Sequence, residues 1–151
     1  MEDFRKQYIN VTNYTNTNTM LHIERVTAVI QKNNCVLLVK SNKYSTYWLP
    51  GGTKEQGETK EQALIRELQE EIQVTPKTYN HLQTHHFDHP QKEGITVTEH
   101  VYLVEIDTQP QPDHEIDAIY WMNQEEFENN KYSLYPITRK QVFEKHKSIL
   151  F

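Results

Sequence analysis

The spacing of apolar side chains changes along the chain, and each change marks an element. From Ile23 the pattern is β-like. Arg25 to Gln31 (RVTAVIQ) and Cys35 to Lys40 (CVLLVK) are β-branched runs separated by the turn signal Lys32-Asn33-Asn34, so they predict a hairpin. Tyr47-Trp48-Leu49 predicts a short third strand, stopped by Pro50-Gly51-Gly52. Thr59 to Ile72, rich in Glu, Gln, Ala and Leu, predicts the strongest helix, and Pro76 closes the segment. The stretch around His85 to His89 reads as strand and turn. Between Gly94 and Asp107, Ile95, Val97, Val101 and Leu103 alternate with Thr96, Thr98, His100 and Tyr102, which predicts a long strand. Asp117 to Met122 predicts another. Asn123 is placed to cap a short helix from Gln124 to Asn129, and Pro136 to open a C-terminal helix reaching about Lys147.

This order predicts an α/β layered domain with a mixed sheet, of α+β or α/β/α type. Residues 1–22 read as a polar N-terminal extension, because Asn10 to Thr19 (NVTNYTNTNT) carries neither period, and residues 23–151 read as one domain. The single cysteine, Cys35, excludes an intramolecular disulfide and a cysteine-built zinc site. The longest apolar run, Cys35 to Val39, is far short of the ~20 residues of a membrane span, and no apolar leader opens the chain. The expected location is the cytoplasm. A net charge of −5 with no basic stripe argues against a nucleic-acid groove. An anionic substrate would then need a metal ion or a few placed cations.

Candidate chemistry concentrates in Gly51 to Val74 (GGTKEQGETKEQALIRELQEEIQV). Gly51, Gly52 and Gly57 mark a loop with unusual backbone or close approach to a ligand, running into a helix start. On the helix, Glu67, Glu70 and Glu71 are three and four apart and share one face. Leu64, Ile65, Leu68 and Ile72 fall roughly on the opposite half, so the expectation is a separate carboxylate face. Repulsion among those carboxylates costs a few tenths of a kcal/mol per pair, roughly, which a bound cation would offset. All-oxygen ligation points to Mg²⁺ or Mn²⁺. The plainer alternative is a solvated acidic helix face.

Written as G-x5-E-x7-R-E-U-x-E-E-x-G-U, with U apolar, the stretch supplies Gly52, Glu58, Arg66, Glu67, Leu68, Glu70, Glu71 and Val74. Only the last glycine is replaced, by Gln73. The segment resembles the signature of the Nudix hydrolase family, with Trp48-Leu49-Pro50-Gly51-Gly52 and Glu55-x-Gly57-Glu58 as matching flanks. The resemblance implies an α/β/α sandwich and Mg²⁺- or Mn²⁺-dependent hydrolysis of a nucleoside diphosphate linked to another group. It implies Glu67 and Glu71 as metal ligands, Glu70 as a third ligand or helper, and the Gly52 carbonyl as a further ligand. Glu58 would pair with Arg66, which would orient the carboxylates. Glu115, six residues before Trp121, stands where family members commonly supply a general base or further ligand. The catalytic candidates are therefore Arg66, Glu67, Glu70 and Glu115, and the metal candidates Gly52, Glu67, Glu70, Glu71 and Glu115. Gln73 bears on the helix end, where the family's glycine favours a left-handed conformation.

Candidate substrate contacts are Gly51, the aromatic Tyr47 and Trp48, which could stack on a base or simply pack, and Lys40, which could meet phosphates. His85, His86, Asp88 and His89 read as solvated rather than as a metal site. Three features touch on substrate. Pro90 has the offset beyond the box associated with ADP-ribose hydrolysing members. Leu134 stands where members reading oxidised guanine place Asn. No coenzyme A motif is recognisable. The expected partner is a small-molecule nucleotide, with no nucleic-acid polymer and no membrane, and a homodimer stays open. Two other classes stay open as well: a non-catalytic nucleotide-sensing module on the same fold, and an interaction protein with an acidic helix.

Overall fold

The computed structural model describes residues 21–89 and 92–151. The extension up to residue 20 and Pro90 lie outside the described residues. Strand β1 (Leu21–Lys32) runs through a two-residue turn into β2 (Cys35–Lys40). Asn33 and Asn34 both have positive φ (51° and 60°), the conformation a tight right-twisted hairpin needs and asparagine tolerates. β1 begins at Leu21, inside the segment assigned to the polar extension, because His22 and Leu21 pair with Thr96 and Ile95. The other elements are β3 (Gly51–Thr53), α1 (Lys60–Ile72), β4 (Thr78–Asp88), β5 (Ile95–Glu105), β6 (Ala118–Met122), α2 (Gln124–Glu128), α3 (Pro136–Thr138) and α4 (Lys147–Leu150).

The sheet order is β4-β5-β1-β2-β6, with β3 also paired to β1. β1 and β5 are parallel and the remaining pairs antiparallel, so the sheet is mixed. Alternation sends the two sets of β1 side chains to different layers. Val26, Ala28 and Ile30 pack with Ala63, Leu64, Leu68 and Ile72 of α1. Val29, with Val101 and Met122, packs against Phe127, Val142, Phe143 and Leu150. Helices thus cover both faces, and the fold is the expected α/β/α sandwich.

Three expectations need correction. Tyr47-Trp48-Leu49 is not the third strand. Tyr47 and Trp48 make only single bridges, to Leu134 and Val39, and the strand proper is Gly51–Thr53. The glycines permit the pairing rather than ending it: a Cβ on Gly51 (φ +151°) would stand 2.1 Å from the Val26 carbonyl oxygen. The C-terminal helix is not one regular rod. Between α3 and α4, Arg139–Glu144 widens to i→i+5 bonding, which lets the adjacent Val142 and Phe143 both face the sheet. Ile65 is 38% exposed. It shares an edge of α1 with Ile72, but only the C-terminal part of that edge is covered, by Val74 and Ile116.

Candidate active site

α1 begins at a reciprocal cap. Gln62 N donates to Thr59 Oγ1 (3.1 Å) and Thr59 N to Gln62 Oε1 (2.8 Å), satisfying two amides that lack helical partners. From this start Glu67 and Glu71 turn inward, not onto a separate acidic face. At about 100° per residue, Glu71 lies roughly 20° from Leu64 and Glu67 roughly 60° from it. Burying Leu64 therefore draws both carboxylates toward the sheet, where the glycine strand β3 receives them.

Gly51 N donates to Glu71 Oε1 (3.1 Å), while Glu71 Oε2 is enclosed and has no hydrogen-bond partner. A Cβ on Gly52 would meet Glu67 Oε1 at 2.3 Å, so a side chain there would displace the carboxylate that Arg66 holds. Burial, followed by the neighbouring Glu67 charge, raises the pKa of Glu71 well above the usual carboxylate range. Burial also raises that of Glu67, against the opposing charge of Arg66.

Arg66 ties the loop to the helix. Its Nε and Nη2 donate to Glu58 at 3.1 and 2.7 Å, Nη2 also to the Thr53 carbonyl at 3.1 Å, and Nη1 to Glu67 Oε1 at 2.9 Å. Its Nη1 reaches Glu70 Oε2 at 3.4 Å. The Arg66 bond holds the Glu58 pKa down. The expected Glu58–Arg66 pair is therefore present, with Arg66 anchoring Glu67.

The other sequence candidates scatter. Glu70 is turned outward, 44% exposed. Glu115 is exposed on the turn between Asp113 and Asp117. Among the described residues no three His, Cys, Asp or Glu side chains are grouped so as to hold a metal ion. Burial of Leu64 thus draws Glu67 and Glu71 against Gly51 and Gly52, while Glu70 stays beside Arg66 at the rim and Glu115 stands on a separate loop. Lys40 Nζ donates to the carbonyls of Ser41 (2.7 Å) and Tyr44, bracing its own loop. Tyr47 and Trp48 point to opposite layers. Tyr47 packs edge-on against Tyr120 and Tyr132, while Trp48 joins the α1 layer. Leu134 packs in the layer opposite α1. His85, read as solvated, lies 3.0 Å from Glu99 with its side chain 12% exposed, and His89 is 5% exposed.

Sequence reading missed a buried ion pair on the strand that backs β3. Arg25 Nε donates to Glu99 Oε2 (3.0 Å), Thr27 Oγ1 to the same oxygen (2.8 Å), and both charged side chains are almost wholly buried. The Arg25 charge also favours the ionised forms of Glu67 and Glu71. The signal was present: Glu99 interrupts the row Ile95, Val97, Val101, Leu103, and a lone Arg opens the apolar run of β1.

At the end of α1, Gln73 adopts the left-handed conformation (φ 56°, ψ 38°) and its amide reaches the carbonyls of Gln69 and Leu68. The departure from glycine thus keeps the helix-ending geometry, at a cost of about 1–2 kcal/mol.

The NUDIX domain family model matches residues 20–144, spanning the glycine strand, α1 and the sheet that backs them. The chain belongs to the Nudix family. The "8-oxo-dGTP diphosphatase" of Escherichia coli K12 is 44% identical over 43 residues, which cover 28% of this chain and 33% of that protein. The "ADP-ribose pyrophosphatase" of Methanocaldococcus jannaschii is 44% identical over 55 residues, 34% of this chain and 32% of that protein. The chain therefore matches about a third of the length of each relative. A putative Nudix hydrolase family member from Chromobacterium violaceum has a crystal structure that superposes with a TM-score of 0.65 at 28% identity, covering 83% of this chain and 77% of that one. Within this Nudix domain no helix among the described residues is long and apolar enough to cross a membrane.

Proposed function

We propose that this chain hydrolyses the diphosphate bond of nucleoside diphosphate derivatives (nucleoside triphosphates, nucleotide sugars or ADP-ribose) with Mg²⁺ or Mn²⁺. The observation that carries the reading is the enclosed Glu71 Oε2, left without a partner beside the Glu67 carboxylate. Buried carboxylates that close together are stabilised by a cation, and hard oxygen donors suit these two ions. The residues present fit: Glu67, Glu71 and the Gly52 carbonyl would hold the metal, with Glu70 joining from the rim. The bound ion supplies charge neutralisation on the diphosphate and acidifies water.

This chain's own residues do the rest. Arg66 holds Glu67 at a fixed angle through Glu58 and Thr53. Gly51 N fixes one oxygen of Glu71. Glu115 accepts the proton of the attacking water at its carboxylate. A nucleoside triphosphate then yields the monophosphate and pyrophosphate, and an NDP-X yields NMP and phosphorylated X. The names of the two sequence relatives, one acting on 8-oxo-dGTP and one on ADP-ribose, support the nucleotide class and leave both branches inside it.

The test separates and identifies the products, monophosphate with pyrophosphate or phosphorylated X, over a nucleotide panel with Mg²⁺ titration in ¹⁸O-labelled water. The expected outcome is label in one phosphate of the cleaved diphosphate. Glu71→Gln is expected to lower turnover by orders of magnitude with the fold intact. Release of the γ-phosphate alone, or wild-type turnover by Glu71→Gln at limiting Mg²⁺, would refute the reading. A nucleotide-sensing module would bind without turnover.

A further inference from the structure

The loop that carries Glu115 is fastened to the C-terminal end of α1 by main-chain and side-chain bonds together. The last carbonyls of a helix have no partners within it. Here Gln111 N donates to the Ile72 carbonyl and Asp113 N to the Glu71 carbonyl, both at 2.9 Å. Gln73, held left-handed, donates from Nε2 to Asp113 Oδ2 at 3.0 Å. The other Asp113 oxygen accepts from His114 N at 2.7 Å, and the Asp113 carbonyl from Ile116 N at 3.0 Å, so Asp113 organises the turn. Ile116 is buried in the α1 layer. At its far end the turn is pinned to the end of β2, with Asp117 N on the Lys40 carbonyl (2.8 Å) and Asn42 N on Asp117 Oδ2 (2.6 Å).

We propose that Gln73 is a positioning residue whose side chain latches Asp113 and so sets where Glu115 stands relative to Glu67 and Glu71. The inference rests on the reading of Glu115 as proton acceptor. Its physical basis is a contrast at one residue. Glycine at position 73 would reach the left-handed conformation without strain, yet it has no side-chain amide with which to hold Asp113. Glutamine accepts the strain and supplies the bond. The latch stands one residue beyond the α1 end and two residues before Glu115, so its loss displaces that carboxylate while the Glu67 and Glu71 side chains keep their bonds to Arg66 and Gly51 N.

The test compares wild type with Gln73→Gly, Gln73→Asn and Asp113→Ala. Gln73→Gly is expected to keep or raise the melting temperature, since it relieves backbone strain. It should nevertheless speed hydrogen exchange at the Gln111 and Asp113 amides and lower kcat roughly tenfold, with KM and the Mg²⁺ requirement unchanged. Gln73→Asn, which tolerates the backbone and lacks the reach, should behave alike. Asp113→Ala should lower kcat by a similar factor and add nothing to Gln73→Gly, and in a Glu115→Gln background Gln73→Gly should cost no further turnover. A merely structural helix cap would move stability and kcat together. Unchanged exchange in Gln73→Gly overturns the latch alone. A second, equal fall in the Glu115→Gln background shows that the latch serves another group and also overturns it. If Glu115→Gln by itself turns over as wild type, the proton-acceptor reading fails and the inference with it, an outcome distinct from the exchange result.

Discussion

At the residue scale the decisive feature is a carboxylate pair held in poor solvation. Glu71 and Glu67 have pKa values raised by burial, Glu71 also by the charge of Glu67. A carboxyl whose folded pKa exceeds its unfolded value of about 4.3 favours folding while protonated, and that contribution is lost as pH rises through the folded pKa. Metal-free wild type should therefore lose stability relative to Glu71→Gln as pH rises above the unfolded carboxyl value. The comparison must be a difference between the two proteins, because His100 and His146, held low by burial, tilt both of them the other way. Chelator-treated Glu71→Gln should exceed wild type by about 1–3 kcal/mol at pH 8, the scale of a relieved buried polar group. Urea titrations at several pH values check this, and equal slopes would mean that Glu71 is already neutralised by the protein. Excess Mg²⁺ should close the gap by stabilising wild type only.

At the element scale the question is which arc of α1 is buried. Repeat spacing in the sequence shows that Leu64, Leu68 and Ile72 share a stripe. It does not show how wide the stripe is or where it is covered. Leu68 is fully buried and Ile65 is 38% exposed. Leu68→Ala should cost about 2–5 kcal/mol, whereas Ile65→Ala should stay within about 0.5 kcal/mol. Denaturant midpoints of the two variants measure the difference, and equal losses would place Ile65 in the core after all. The same packing explains why the carboxylates face the sheet. A Glu beside Leu64 on the wheel reads in sequence as half of an acidic face, and only the approach of Gly51 and Gly52 makes it a buried carboxylate.

At the scale of the whole molecule, the site depends on parallel pairing of strands far apart in the chain. Arg25 on β1 and Glu99 on β5 are register partners, and their ion pair lies in the interior. Breaking such a pair from one side leaves a charge without compensation, at about 3–5 kcal/mol. Arg25→Met should therefore destabilise strongly, and Arg25→Met with Glu99→Met should recover most of the loss. A double-mutant cycle by urea unfolding checks it, and strictly additive losses would mean that the two charges act independently.

Local chemistry along the chain was enough for the layered class, the hairpin turn at Asn33-Asn34, the Asn123 cap of α2 and the glycine-to-carboxylate segment. Turn chemistry, caps and i,i+4 spacing need only neighbours in the chain. Tertiary structure alone decided that β3 is Gly51–Thr53, since its partner is Arg25–Thr27. It alone paired Arg25 with Glu99 across β1 and β5, turned Tyr47 and Trp48 to opposite layers, and placed the Asp113–Asp117 turn on the end of α1. Those outcomes depend on which segments meet in space, and on what each burial does to the charge beside it.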